Sequence, residues 1–281
     1  MIVYRCKFKF DMGEKIMQVK EAIREFGLEG KPVCIHASLR SFLKKDEELL
    51  NSFCEAGCTI LVPTFSDMFE APPVEGLMPV QNGAGDYSYF INKEYEDMGV
   101  YSVKSNLLTV EDMGKFSEMV LKHPERLRGA NHLNSFASLG PLAFTLVEKQ
   151  TNQNVYAPLE KLYELDGYVL MMGVGLNSVT AIHYAEQKAG RVPFVRWSKD
   201  AEKNTVEVRT GGCSDGFEKL APLLKSYEMQ ERVNGSLWRC YRVRDLVDVC
   251  VQAFRENSLV AHCGDEHCER CNDAAKGGPV W

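Results

Sequence analysis

The sequence has no long apolar run. None of its hydrophobic stretches approaches the ~20 residues that an α-helix needs to cross a bilayer, so no membrane partner is expected. The opening segment, MIVYRCKFKFDMGEK, scatters charges and offers no apolar stretch of the signal-peptide kind. The cytoplasm is therefore the expected compartment. Positive charge is not in excess either: 33 Lys and Arg stand against 39 Asp and Glu, a net of −6. Neutralising phosphates needs a basic face, so nucleic acid is not an expected partner. Several catalytic signatures are missing. No G-x-S-x-G, H-E-x-x-H or G-x-x-x-x-G-K-[ST] occurs, and Ser178 stands where G-x-G-x-x-G, begun by Gly173 and Gly175, needs its third glycine.

What is present is an ordinary globular balance, 45% hydrophobic and 26% charged over 281 residues, enough for a sizeable core. Ile16, Val19, Ile23 and Phe26 lie at helical spacing within 12–27, and Gly27 and Gly30 stop the run. Val33–His36 and Thr59–Pro63 are short apolar runs on either side of a helical stretch, Asp46–Glu55. Strand–helix–strand units of this kind build parallel sheets covered on both faces. Further helices are predicted over Met113–Lys122, Leu142–Glu148, Pro158–Leu165, Phe217–Tyr227 and Arg244–Phe254. Tyr168–Met172 is the strongest buried strand, and a helix follows it to Ala189. Phe194–Trp197 and Thr205–Arg209 alternate as an antiparallel pair, and Leu237–Val243 is a further strand. Residues 65–110 interrupt the rhythm with Pro72, Pro73, Pro79 and seven aromatics, which suits a binding insert better than plain disorder. The expected fold is α/β: a three-layer α/β/α arrangement with a mainly parallel, mixed central sheet, a long insert and a small antiparallel part towards the C-terminus. One domain is expected over 1–258, followed by a Cys-rich tail at 259–281.

The strand–turn–helix at 168–189 is where chemistry concentrates. Asn177 or Ser178 is placed to cap the helix, and Thr180, His183 and Glu186 share one of its faces. A carboxylate beside an imidazole holds the ring and stabilises its protonated form, as a general base requires. The first turns of this helix lie at the carboxyl end of a strand, where open α/β sheets bind ligands. The same spacing also fits a surface ion pair or a satisfied core pair. In the tail, Cys263, Cys268 and Cys271, with His267 between them, have the spacing of a structural zinc site. Unligated tail cysteines are the other reading. The remaining seven cysteines, Cys213 among them, sit in apolar or mixed segments and read as reduced, small core residues.

A resemblance joins these pieces. Ser135–Pro141, Pro158–Gly167, Gly173-Val174-Gly175 and Thr180–Glu186 are similar to the aminoglycoside 3-N-acetyltransferase family. So, in the same order along the chain, are His36–Leu39, Val62–Phe65, Met113-Gly114 with Glu118, and Arg128 ahead of His132. The resemblance implies direct transfer of an acetyl group from acetyl-CoA to an amine of a small molecule, an aminoglycoside or a related amine, with no acyl-enzyme. It implies His183 as general base and Glu186 as its carboxylate. Ser38, Leu39, Thr64 and Ser135 fall where such a protein would contact coenzyme A and its thioester, and each is equally readable as a cap or turn residue. Two features depart from the family: residues 65–110 contain no tryptophan and only scattered acids, and Leu133 stands where the family favours proline. The competing readings are a zinc-dependent hydrolase using His183, Glu186 and the tail cysteines, and a non-catalytic ligand-binding protein on the same fold.

Overall fold

The computed structural model describes residues 17–41 and 46–281. The predicted start of the first helix, with Ile16, and Cys6 lie outside them. Among the described residues, ten strands form two sheets. They are β1 Pro32–Ala37, β2 Thr59–Pro63, β3 Glu70–Ala71, β4 Leu127–Arg128, β5 Phe136–Leu139, β6 Tyr168–Met172, β7 Phe194–Lys199, β8 Thr205–Thr210, β9 Met229–Val233 and β10 Ser236–Arg242. The helices are α1 Val19–Glu25, α2 Asp46–Glu55, α3 Ser88–Asn92, α4 Val110–Lys122, α5 Ala143–Val147, α6 Ala157–Glu164, α7 Ala181–Lys188, α8 Ala221–Leu224, α9 Val243–Glu256 and α10 Glu269–Ala275.

The larger sheet runs β4-β5-β2-β1-β6-β10-β9. Its parallel character is confined to the centre, where β1 pairs with β2 and with β6. The pairs further out are antiparallel. The three central strands are apolar almost throughout because both faces are covered. Alternate side chains go to opposite layers. Cys34, Leu61, Val169, Met171 and Tyr241 pack under α5, α6, α7 and α9, whereas Val33, Ile35, Ile60, Val62, Leu170 and Trp238 pack under α1, α2 and α4. Helix α9 shows why the layers hold: Val243, Leu246, Val247, Cys250, Val251 and Phe254 are buried at i, i+3, i+4, i+7, i+8 and i+11, one apolar stripe against the sheet.

The second sheet, β3-β7-β8, is antiparallel. Its β3 comes from the aromatic insert and pairs at Glu70 with Ser198 and at Ala71 with Trp197. Two small cores tie the insert down. Tyr87 and Phe90 pack with Val195 and Trp197, and Phe69 and Tyr101 pack with Leu133 and Val208. The predicted helix over Phe217–Tyr227 is broken into a 3₁₀ turn, the short α8 and a second 3₁₀ turn, with Pro222 near the start of α8. No helix among the described residues is long and apolar enough to cross a membrane.

Candidate active site

The carboxyl ends of β1, β2 and β6 open into a cleft of about 480 Å³. Beyond β6, Gly173 donates its N–H to Leu237 O at 2.9 Å, and Leu176–Ser178 form a 3₁₀ turn. The predicted cap is not made. Thr180 occupies the N-cap position of α7 without a side-chain hydrogen bond, and Asn177 and Ser178 line the cleft instead. The turn is held from outside by Glu218, whose Oε1 accepts from Leu176 N–H at 2.6 Å.

His183 and Glu186, one turn apart on α7, meet at 2.6 Å between Nδ1 and Oε2. A carboxylate only accepts, so Nδ1 carries a proton, and Nε2 is the nitrogen with a lone pair in the neutral ring. The ring is gripped on two sides: Tyr156 stacks at 6.3 Å between centroids and 7° between planes, and Phe217 meets it edge-on at 4.8 Å. Glu186 is fixed in turn by Arg191, which hydrogen-bonds Oε1 and lies over the Phe254 ring at 4.5 Å. His183 keeps 11% of its side chain exposed and lines the cleft, so the imidazole is oriented but not sealed. Gly211 makes room beside it. A Cβ there would lie 2.9 Å from Tyr156 Oη and 3.5 Å from His183 Nε2. Burial, and after it the charge of Glu186, pushes the Tyr156 phenol well above its ordinary value, so it stays protonated beside the pair.

The floor and far wall come from remote segments. His36, at the end of β1, is buried and faces the cleft. Burial lowers its pKa to about 4, so the ring is neutral at physiological pH. Helix α4 kinks at Gly114, whose φ of 77° is the left-handed region open to glycine. A Cβ there would come within 2.9 Å of Ala37 O. That close approach brings Met113 and Ser117 to the cleft. The insert supplies Asp67, Glu70, Tyr89, Phe90 and Lys93, while Arg196 comes from β7 and Arg270 from α10. Glu70 is neutralised by Lys93 at 2.5 Å. Arg196 is buried; burial, followed by the neighbouring charge of Arg270, lowers its pKa to about 10.

The four residues expected to touch coenzyme A divide. Thr64 and Ser135 are fully buried and serve each other. Ser135 Oγ donates to Thr64 O at 2.9 Å and receives Arg128 Nε at 2.9 Å, while Arg128 Nη2 donates to Thr64 O at 2.7 Å. Their chain neighbours Pro63, Phe65 and Asn134 line the cleft. Ser38 and Leu39 are half-buried just past the cleft-lining Ala37; Ser38 N–H donates to Met172 O at 2.9 Å, and Leu39 packs on the α1–α2–α4 layer. The expectation for the tail is corrected at one ligand. Cys263, Cys268 and Cys271 do come together, but the fourth member of the group is Cys213, not His267. His267 is 88% exposed and lies beside Glu266; adjacent to Cys268 in the chain, it points away from the thiols. Cys213 is therefore not a core residue. Neither His183 nor Glu186 belongs to that group, so the residues of a zinc hydrolase are not assembled.

Spacing along the chain missed Tyr156, Phe217, Gly211 and Arg196, because each reaches the site from a separate element, and it missed Arg191, which returns to Glu186 from just past the end of α7. Proline at the first turn of α6 and glycine pairs after β8 are local signals, but neither says what it faces.

Fold and site together define an α/β protein with a buried-edge His–Glu pair open to a substrate-sized cleft. The family model described as aminoglycoside 3-N-acetyltransferase matches residues 34–255, and the chain belongs to that family. Aminoglycoside N(3)-acetyltransferase III from Salmonella sp is 36% identical over 92 residues, 32% of this chain and 32% of that protein; the match thus spans about a third of that relative's length. Aminoglycoside N(3)-acetyltransferase IV from Salmonella sp is 23% identical over 248 residues, 82% of this chain and 83% of that protein. Among solved structures, the apoenzyme of aminoglycoside acetyltransferase AAC(3)-IVa superposes with a TM-score of 0.71 at 22% identity, covering 95% of this chain and 100% of that one. The same protein has been solved as a histidine-to-alanine mutant in complex with a gentamicin.

Proposed function

We propose that this protein transfers the acetyl group of acetyl-CoA to an amine of a small molecule, an aminoglycoside or a related amine, in one direct step. The observation that carries the reading is the 2.6 Å contact between His183 and Glu186 at the edge of the cleft. With Nδ1–H committed to Glu186, the Nε2 lone pair takes the proton as the acceptor nitrogen attacks the thioester carbonyl. The C–N bond forms, the C–S bond breaks, and the coenzyme A sulfur leaves to be protonated. Products are an amide and free coenzyme A, with no covalent enzyme intermediate. General-base assistance of this kind contributes about 10²–10⁴ in rate, and the remainder comes from holding amine and thioester together. Glu186 positions the imidazole and offsets the charge it gains. Family membership supports the acetyl donor, and use of that donor makes the cytoplasm the proposed compartment. Modification of an aminoglycoside in this way would make the protein an antibiotic-resistance enzyme.

The charges of the cleft bear on the acceptor. With Glu70 paired to Lys93, the lining holds two arginines, Arg196 and Arg270, beside one further carboxylate, Asp67, so a polycation gains little attraction there. The deciding experiment measures thiol release from acetyl-CoA across aminoglycosides, neutral amines and amines carrying a carboxylate or phosphate. Turnover with an aminoglycoside fixes the substrate class as that of the named relatives. Turnover only with anionic amines keeps the chemistry and moves the acceptor. No release with any amine, from folded protein that also fails to bind coenzyme A at millimolar concentration, favours the non-catalytic binding reading and removes the enzymatic one.

A further inference from the structure

The Sγ atoms of Cys213, Cys263, Cys268 and Cys271 lie within 4.8 Å of one another. Three come from the tail and one from the loop after β8. Sulfurs bound to one zinc ion at about 2.3 Å stand roughly 3.8 Å apart at the corners of a tetrahedron, so small side-chain rotations bring this group to that geometry. All four are free thiols rather than disulfides, and Cys271 is buried. The backbone also faces the sulfurs suitably: Cys263 N–H points at Cys271 Sγ at 3.4 Å, the kind of outer contact that steadies a ligating thiolate. The nearby imidazoles are otherwise occupied or turned away. His262 Nε2 pairs with Asn272 Oδ1 at 3.1 Å, and His267 is in solvent.

We propose that Cys213, Cys263, Cys268 and Cys271 bind one structural Zn²⁺ that fastens the C-terminal tail to the wall of the active-site cleft. Four sulfur ligands close the tetrahedron and leave no position for substrate or water, so the ion is not catalytic. Binding replaces the four thiol protons by the metal and releases them to solvent. What the ion positions is specific. Gly211, Gly212 and Ser214, the chain neighbours of Cys213, line the cleft, and so does Arg270, which sits between Cys268 and Cys271. The loop and tail already touch backbone to backbone: a Cβ on Gly216 would fall 2.3 Å from Ala261 O. Further along, Asp273 Oδ2 accepts from the insert's Gly83 N–H at 2.8 Å, so the same tail holds the insert. One ion thus secures three segments that face the reacting groups. The inference does not depend on which amine is acetylated.

The test is the metal content of the full chain purified without chelator. The expected result is about one zinc per chain, as a closed four-thiolate site holds, lost in Cys213→Ser and retained in His267→Ala. Cobalt(II) added to metal-free wild type is expected to give the visible bands and sulfur charge-transfer absorption of a tetrahedral thiolate site, which keeps the test open should Cys213→Ser not fold. Folded wild-type protein that carries no zinc and gives no such cobalt spectrum overturns the proposal. So do two disulfides among these cysteines in freshly purified protein, iron in place of zinc, or zinc retained in folded Cys213→Ser but lost in His267→Ala.

Discussion

The two walls of the cleft are built differently. One wall is β6, its turn and α7, a continuous stretch in which His183 and Glu186 are neighbours because a helix makes them so. The other gathers Glu70 and Lys93 from the insert, Arg196 from β7 and Arg270 from the tail, residues far apart in the chain. In the proposed reaction the first wall would move a proton, whatever the acceptor, and the charges of the second would choose the acceptor. On that proposal chemistry is encoded locally and selectivity at long range, so one could change while the other stays.

That division can be broken most directly at His183. His183→Ala should fold normally and lose at least about a hundredfold in turnover, the loss expected of a missing general base; steady-state rates with a saturating acceptor check it. Near-normal turnover would remove the first wall from the mechanism. The floor beneath both walls gives the next largest effect, on stability. His36 takes up its proton in the unfolded chain near 6.5 but in the folded protein only near 4. Stability should therefore fall as pH drops from about 6.5 to about 4, by up to ~3 kcal/mol from this group. His132, also lowered by burial, acts in the same direction. Urea unfolding across this range should show a flatter slope in His36→Asn.

Glu186→Gln tests the same wall more gently. The amide keeps the shape but not the charge that stabilises the imidazolium, and turnover should fall about tenfold or more with the acceptor KM little changed. A rise in KM alone would assign Glu186 to binding. The smallest effect belongs to the second wall. Arg270→Ser should change the KM of an acceptor bearing an anionic group by about fivefold, the scale of a solvent-exposed charge contact, with kcat unchanged. A drop in kcat without a change in KM would erase the distinction between the walls.

Much of the first wall is legible in the sequence. The apolar runs of β1, β2 and β6 mark themselves as buried strands, and the i, i+3 spacing of His183 and Glu186 survives in the helix. The antiparallel pair β7–β8 and the stripe of α9 are equally local. What could not be seen depends on partners far along the chain. Strand β3 is two residues long and exists only because Ser198 and Trp197 pair with it. Cys213 sits in the loop after β8, about 50 residues before Cys263, a separation that no ligand-spacing rule covers. Thr64 and Ser135 stand at the ends of strands, as ligand contacts often do, yet Arg128 takes up both from within. Sequence position alone cannot tell a residue that faces the cleft from one that braces it from behind.

The bridge between Gln81 and Val280, with the Gly83–Asp273 bond beside it, carries a consequence for biosynthesis. A ribosome that has finished α7 has made the His183–Glu186 pair but not the tail segment that bonds to the insert. The pairing of β3 with β7 can dock the insert earlier, but translation must continue through Val280 before the tail adds its own clasp, so that part of the pocket wall is completed late in synthesis. A nascent chain halted between these points would hold the His183–Glu186 pair without the tail's contacts to the insert.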